Sequence, residues 1–368
     1  MPPKHDSDDK RMTDASDTPH ALPVTVALGA IDATDPALVG PKMVHVDWLR
    51  HWDAHVPEAF CITTEAFKMF LDHNALAASL AAAELSWAHN DDSGLKQASQ
   101  LCREQLLAAT LPNEIELSLI SAYRALAGTE EDSEIPVAVR SSASGEDSKE
   151  ASFAGQYESF LNIQGPKPLV NAVRQVWASL FSERAMRYRR RSGIPFGETP
   201  MAVIVMSMVP AHCAGVAFSA DPVTGKQDRI IIEGCWGYGE AVVQGVTVPD
   251  RIAVDKEDQR ILDYTLGSKQ VHSAIDPSAG VVREIETDPE RQTEPCLTST
   301  EVIQIATEVC RLERQIETPV DTEWVLTNTG ELFFVQLRPI TSLPDPAPQS
   351  TVSTVRAAGR WRRAKQQY

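Results

Sequence analysis

The sequence predicts an α+β protein of two lobes, a helix-rich first half followed by a strand-rich second half. Three observations carry that prediction. Helix-period apolar patterning dominates residues 43–130, and short β-branched runs take over from Met201. Hydrophobic residues make up 43% of 368 positions, enough to bury substantial cores.

Residues 1–24 read as a disordered leader. The first 20 are rich in Asp, Lys, Ser and Pro with no apolar stretch, so they form neither a signal peptide nor an amphipathic transit helix. Residues 25–200 are expected to build the N-terminal lobe. Its best-marked helix has Asn113 as N-cap, Glu116 three residues later, apolar positions Ile115, Leu119, Ala122, Tyr123 and Leu126, and Gly128 as the stop. A strand is predicted at 135–139, delivering Arg140 and a Ser/Gly-rich loop. One long helix follows at about 167–191, and its closing Arg187, Arg189, Arg190 and Arg191 suit the negative end of the helix dipole.

Residues 201–342 are expected to form the C-terminal lobe. Strands are predicted at 201–209, 215–219, 229–233, 251–255 and 261–266, then a helix at about 300–317 and a hairpin over 321–338. Residues 343–368 form a Pro-rich exit and a basic tail.

Composition excludes several classes. The apolar runs are too short and interrupted to span a bilayer, so a cytosolic protein with no membrane partner is expected. Six cysteines without a CxxC pair fit reduced, mostly buried thiols. His51 and His55 sit four apart near Asp47 and Asp53, but no other ligand cluster answers them, so they read as a solvated helix face. The net charge is −17 although Arg356, Arg360, Arg362, Arg363 and Lys365 make the tail basic; so acidic a body opposes nucleic-acid binding.

Two stretches carry chemistry. On the closing hairpin, Asp321, Glu323 and Val325 alternate onto one face, as do Leu332, Phe334, Gln336 and Arg338 on the return strand. A two- or four-residue turn sets Asp321 opposite Gln336 and points both polar sets the same way, whereas a three-residue turn separates them. Two carboxylates, a carboxamide and an arginine on one surface suit a divalent cation and a polyphosphate. Leu332 and Phe334 on that face distinguish it from a purely solvated one. The second stretch is an apolar strand ending in Arg140, then small hydroxyl residues and glycines through Gly155 and Ser159. These let backbone N–H groups approach an anion.

The strings VAVRSSASGEDSKEASFAGQYESFLNI (137–163) and DTEWVLTNTGELFFVQLRPIT (321–341) closely resemble the ATP-binding domain of the phosphoenolpyruvate synthase family. That family includes pyruvate, water dikinase and rifampicin phosphotransferase, with pyruvate, phosphate dikinase as a cousin. The likeness continues through VWASLFSERAMRYRRRSGI, MVPAHCAGVAFSADPVTG, IEGCWGYGEAVVQGVTVPD and LGSK, over roughly residues 38–342, and the Gln-x-Arg-Pro-Ile-Thr ending resembles the water-dikinase branch.

The resemblance implies an ATP-grasp fold that binds ATP and Mg²⁺ between two lobes and passes a phosphoryl group to a histidine. By matching position it implies that Arg140, Arg338 and Lys42 contact phosphates and serve catalysis. It assigns Glu323 and Gln336, with Asp321, to Mg²⁺, Gly155 and Ser159 to the phosphate loop, and Met206, Met208 and Val209 to the adenine hinge. The sequence departs from the family pattern at Met206, usually glutamine, at Pro41 and Ala59, usually glycine, and at Ser159, usually threonine. Its closing hairpin also carries one extra residue. The family's phosphohistidine motif, a Thr-x-Gly-Gly followed by a histidine among small residues, is not found in these residues. The expected role is therefore the ATP-activating subunit of a split dikinase, with a phosphohistidine-bearing partner in a hetero-oligomer. Phenylphosphate synthase is divided in that way, which makes phenol the expected final acceptor. The alternatives are a stand-alone small-molecule phosphotransferase and a non-catalytic nucleotide sensor.

Overall fold

The computed structural model describes residues 22–87, 91–128, 134–143 and 157–344. The leader up to residue 21, Gly155 with most of the Ser/Gly-rich loop, and the tail after 344 lie outside them.

Strands β1 (Thr25–Ala27), β2 (Ala59–Ile62), β3 (Val137–Ala143), β4 (Ser159–Ile163) and β5 (Met201–Ser207) form an antiparallel sheet in the order β1-β2-β5-β3-β4. Around it in chain order lie α1 (Pro36–His51), α2 (Thr64–His73), α3 (Ala77–Leu85), α4 (Asp92–Ala108), α5 (Asn113–Ala127), α6 (Pro166–Ser179) and α7 (Glu183–Ser192). The unbroken apolar run of β5 suits a strand covered on both faces. Val203 and Val205 pack with Phe67, Phe70 and Trp177 on one side, and Ile204 and Met206 with Met43 and Cys61 on the other.

A second antiparallel sheet contains β6 (Cys213–Phe218), β7 (Arg229–Trp236), β8 (Asp250–Asp255) and β9 (Ile261–Thr265). A separate ribbon follows, β10 (Val271–Ile275) with β11 (Val282–Glu286). The hairpin of β12 (Val320–Leu326) and β13 (Leu332–Pro339) completes the second sheet in the order β13-β12-β6-β7-β8-β9. Two short helices, α8 (Glu240–Val243) and α9 (Pro289–Gln292), precede α10 (Ser299–Ile316). Helix α10 starts with a Thr298/Glu301 capping box and packs Val302, Ile305, Val309 and Leu312 against Ile230, Ile232, Trp324 and Phe334. Because α10 covers one face of this sheet, the other is left for the cleft.

Several sequence expectations need correction. Asn113 is the first helical residue, Pro112 stands at the N-cap, and no side chain caps that end; Gly128 does end the helix, at φ 89°. The single helix expected at 167–191 is α6 and α7, because the Ser182 hydroxyl accepts from Ala185 N and starts a new helix without any glycine or proline to mark it. The arginines at its end need more than a dipole: Arg189 is fully buried and pairs with Glu84 at 2.7 Å, and Arg190 lies over the Trp87 ring. Strand β5 pairs with β2 and β3, so the division between the two sheets falls after Ser207 rather than at residue 200. Strands β1, β2, β4, β10 and β11 had no counterpart in the expected element list.

Helix α1 belongs to both lobes. Val39, Met43 and Val46 pack under the first sheet, whereas Leu49, Trp52 and Ala54 enter the core of the second. Phe334 N donates to His55 O at 2.8 Å, tying the segment after α1 to β13. His55 also stacks on Phe333, and among the described residues no group of three His, Cys, Asp or Glu is arranged for a metal. The cysteines are free thiols and all but Cys310 are buried.

Candidate active site

The two sheets face each other across a cleft of about 770 Å³. Its first-lobe wall comes from β3 and β5. Ala138 lies opposite Met206, and Arg140 lies opposite Ile204 on one side and Ser159 on the other. Ser159 is exposed and lines the cleft, as do Met206, Met208 and Val209 at the crossing between lobes. That crossing is fixed by two backbone bonds, Ser207 N to Glu58 O and Met208 N to Pro136 O, both 2.9 Å.

Lys42 enters from α1. The helix is broken at Gly40, with φ 73° and ψ 164°, where a Cβ would lie 2.1 Å from the Ser142 carbonyl oxygen. Only glycine meets both demands, so Gly40 brings this chain segment hard against β3. Pro41 then restarts the helix, as proline can in a first turn, and Lys42 follows on the cleft side.

The hairpin supplies the second wall through an irregularity. Leu326 pairs with Leu332 across five intervening residues, an odd loop that would turn the polar residues of β12 and β13 to opposite faces. A bulge restores the phase. Trp324 is opposite Phe334, but Glu323 is opposite Gln336 and Asp321 opposite Arg338, leaving Val335 as the extra residue. Two expectations change as a result. Asp321 faces Arg338 rather than Gln336. Leu332 and Phe334 do not share the polar face; they sit in the α10 core while Gln336 and Arg338 line the cleft.

The charged groups converge. Arg140 Nη2 donates to Glu323 Oε2 at 2.6 Å and to Gln336 Oε1 at 3.0 Å. Arg338 approaches Glu323 Oε1 through Nη2 and Asp321 Oδ2 through Nε, both at 3.8 Å. Burial works to raise the Glu323 carboxyl, but Arg140, Arg338 and Lys42 outweigh it and hold it below the usual range. The structure thus brings together Lys42, Arg140, Asp321, Glu323, Gln336 and Arg338, with Ser159 and the Met206–Val209 crossing at the edges.

Behind the hairpin, His45 is buried and its pKa is pushed down to about 4, by desolvation and then by the nearby Arg338 charge. Sequence reading missed Glu240, Tyr238 and Gln244 on the second-lobe wall. Their signal was the turn Gly237-Tyr238-Gly239-Glu240, two glycines and an acid between strand and helix.

The family described as Pyruvate phosphate dikinase, AMP/ATP-binding domain, matches residues 36–358. This chain belongs to that family. A probable phosphoenolpyruvate synthase of Methanothermobacter thermautotrophicus is 34% identical over 320 residues, covering 87% of this chain and 46% of its own length. A rifampicin phosphotransferase of Streptomyces sviceus is 36% identical over 328 residues, covering 88% of this chain and 36% of its own. The chain thus spans less than half of either relative. Among solved structures, a D-alanyl-alanine synthetase A from Vibrio cholerae matches at 12% identity and a TM-score of 0.29, over 85% of this chain and 58% of its own.

For an AMP/ATP-binding domain the donor set is informative. Glu323 and Gln336 offer one carboxylate and one carboxamide oxygen, with Asp321 beside Arg338. So few protein ligands suit Mg²⁺, which takes one or two carboxylates and fills its octahedron with phosphate oxygens and water. The cations already lie against these acceptors, so an incoming polyphosphate exchanges one set of anionic partners for another and leaves no buried guanidinium uncompensated.

Proposed function

We propose that this chain is the ATP-activating part of a dikinase with an ATP-grasp fold, binding Mg-ATP in the cleft and phosphorylating a histidine on a partner subunit. The observation that carries the reading is the convergence of Arg140, Arg338 and Lys42 on Glu323 and Gln336, beside an apolar crossing at Met206–Val209. Phosphoryl transfer asks a protein chiefly for positioning and charge neutralisation. Arg140, Arg338 and Lys42 supply the neutralisation. Mg²⁺, held by Glu323 and Gln336 with Asp321 nearby, would add charge where the phosphates meet. The crossing accepts the base by apolar contact, and Met206 brings no side-chain hydrogen-bond donor there.

In the overall reaction ATP, water and histidine give AMP, phosphate and phosphohistidine. The acceptor histidine is brought to the cleft from outside its lining, which among the described residues includes no histidine. Phenol is the final acceptor we favour, and a hetero-oligomer in the cytosol is the setting. Among the described residues no helix is long and apolar enough to cross a membrane.

The test uses ATP labelled at the β- or γ-phosphate, with the chain alone and with a protein carrying a Thr-x-Gly-Gly followed by a histidine among small residues. Partner-dependent label on histidine, with AMP and phosphate released, is expected. Direct transfer to phenol or another small molecule without a partner would overturn the split arrangement. Nucleotide binding without turnover would favour a sensor. Arg338→Ala should lower the rate at least ~100-fold, as loss of one preorganised charge partner does, while its circular dichroism stays native.

A further inference from the structure

We propose that Glu240 reads the sugar of the nucleotide, accepting hydrogen bonds from the vicinal hydroxyls of a ribonucleoside triphosphate at mid-cleft. The inference rests on the nucleotide reading above and concerns a part of the ligand that none of the residues assigned there contacts.

The two walls of the cleft can be read as levels. On the first wall, the base level is Met206 opposite Ala138, and the phosphate level is Arg140, two residues further along β3. Two strand residues span about 7 Å. On the second wall, β6 leaves the crossing at Cys213, pairs Gly215 with Trp324 and then Val216 with Glu323. Gly239 packs on this interval: a Cβ there would lie 3.7 Å from Ala214 Cβ and from Gly215 N. Glu240 follows directly and lines the cleft, with Gln244 one helical turn later. It therefore enters between the base end and Glu323, the interval a sugar spans.

The carboxylate is also fixed in place. Gly237, at φ 69°, lies so close to β10 that a Cβ would sit 2.2 Å from Ser273 O. Tyr238 N donates to Ser273 O at 2.8 Å, and Ala241 N to the Ser273 hydroxyl at 3.0 Å. The turn bearing Glu240 is thus held on the ribbon from both sides.

Its chemistry suits neutral donors. Glu240 makes no side-chain hydrogen bond or ion pair to any described residue, unlike Glu323, which has two arginines. Burial raises its carboxyl pKa, and Glu323 and Glu284 add to that against the pull of Arg140. A phosphate at this level would be repelled. Two vicinal hydroxyls, each donating to one carboxylate oxygen, satisfy the group without adding charge, as acidic residues do for ribose in dinucleotide sites.

The experiment is equilibrium binding of ATP, 2′-deoxy-ATP and 3′-deoxy-ATP, each with Mg²⁺, to the full chain and to its Glu240→Gln and Glu240→Ala variants. The wild-type chain should bind at least one deoxy analogue about 10- to 100-fold more weakly than ATP, the size of one charge-assisted hydrogen bond. Both variants should bind ATP about as weakly as the analogue and lose the discrimination; thermal melts check that each is folded. A wild-type chain indifferent to the sugar overturns the proposal without any variant. So does a Glu240→Gln variant that still discriminates, including one that has only become more demanding of Mg²⁺. If the wild-type chain binds none of the three nucleotides, the nucleotide reading itself falls, which is a different result.

Discussion

Arg140 holds a buried carboxylate and a carboxamide at once, and its own guanidinium is mostly sheltered from water. Removing it leaves Glu323 to Arg338 and Lys42, so its carboxyl pKa must rise. The sign of the pH dependence follows. Glu323 is held below its ordinary value in the folded chain. Its charge therefore contributes stability that is present above the ordinary carboxylate range and is lost as pH falls through the lowered folded value. Arg140→Met should destabilise the chain by about 2 kcal/mol at neutral pH, the scale of a sheltered charge-assisted bond. That difference should shrink as Glu323 protonates. Urea unfolding of both proteins at neutral and acid pH measures it, and a difference independent of pH would mean Arg140 does not act through Glu323. Lys42, on α1, was reached only through the family resemblance, whereas Arg140, Glu323 and Arg338 were legible in the sequence because an apolar run leads into Arg140 and the others lie on a hairpin of alternating pattern. Glu240 was not, because its level in the cleft depends on Gly239 packing against Gly215 and on Ser273 holding the turn.

At the scale of elements, most strands with continuous or alternating apolar patterns were recovered within a few residues, while β1, β2, β4, β10 and β11 were not. The first two are three and four residues long, and β11 alternates charged with apolar residues that stay partly exposed. The closing hairpin was legible as a hairpin but not in its phase, since a bulge leaves no mark on composition. Strand β13 reads correctly on both sides of Val335: Phe334 in the core and Gln336 in the cleft are consecutive alternating positions once that residue is removed. Deleting Val335 should therefore yield a regular hairpin that keeps Glu323 opposite Gln336 and Asp321 opposite Arg338. The deletion variant should fold and retain nucleotide binding, losing the contact Val335 makes under the first sheet and its share of the cleft lining. Deletion of Phe333 instead puts Phe334 out of phase with the core and should cost about 3 kcal/mol or more, the usual penalty for emptying a buried aromatic site. Chemical denaturation and nucleotide titration of the two deletions separate these cases. Equal damage from both would show that the bulge itself shapes the site.

At the scale of the molecule, the lobes are joined differently on the two sides of the cleft. On one side α1 and the segment after it are packed into both cores, an arrangement that resists opening. Away from α1, the β10–β11 ribbon extends from the second lobe to the first, where Asn162 Nδ2 donates to Gly280 O at 2.7 Å across 118 residues of sequence. Asn162 adopts a left-handed conformation, φ 59°, and its side-chain oxygen accepts from Gln164. A contact of such sequence separation between a strand end and a turn carries no local pattern, so it could only be found in three dimensions. It makes the ribbon a strap whose bond to the first lobe, through Asn162 and Gly280, should slow the escape of a bound nucleotide. Asn162→Gly removes the strap bond yet tolerates the positive φ, so it isolates the bond from backbone strain; Asn162→Ala adds about 1 kcal/mol of left-handed strain. The glycine variant should melt close to the wild-type chain but release nucleotide about 5-fold faster, the rate equivalent of one neutral hydrogen bond of about 1 kcal/mol. Stopped-flow displacement of a fluorescent ATP analogue reads the rate directly. An unchanged dissociation rate with an unchanged melting temperature would mean that the ribbon rests on the first lobe without restraining it, and that α1 alone sets how the cleft opens.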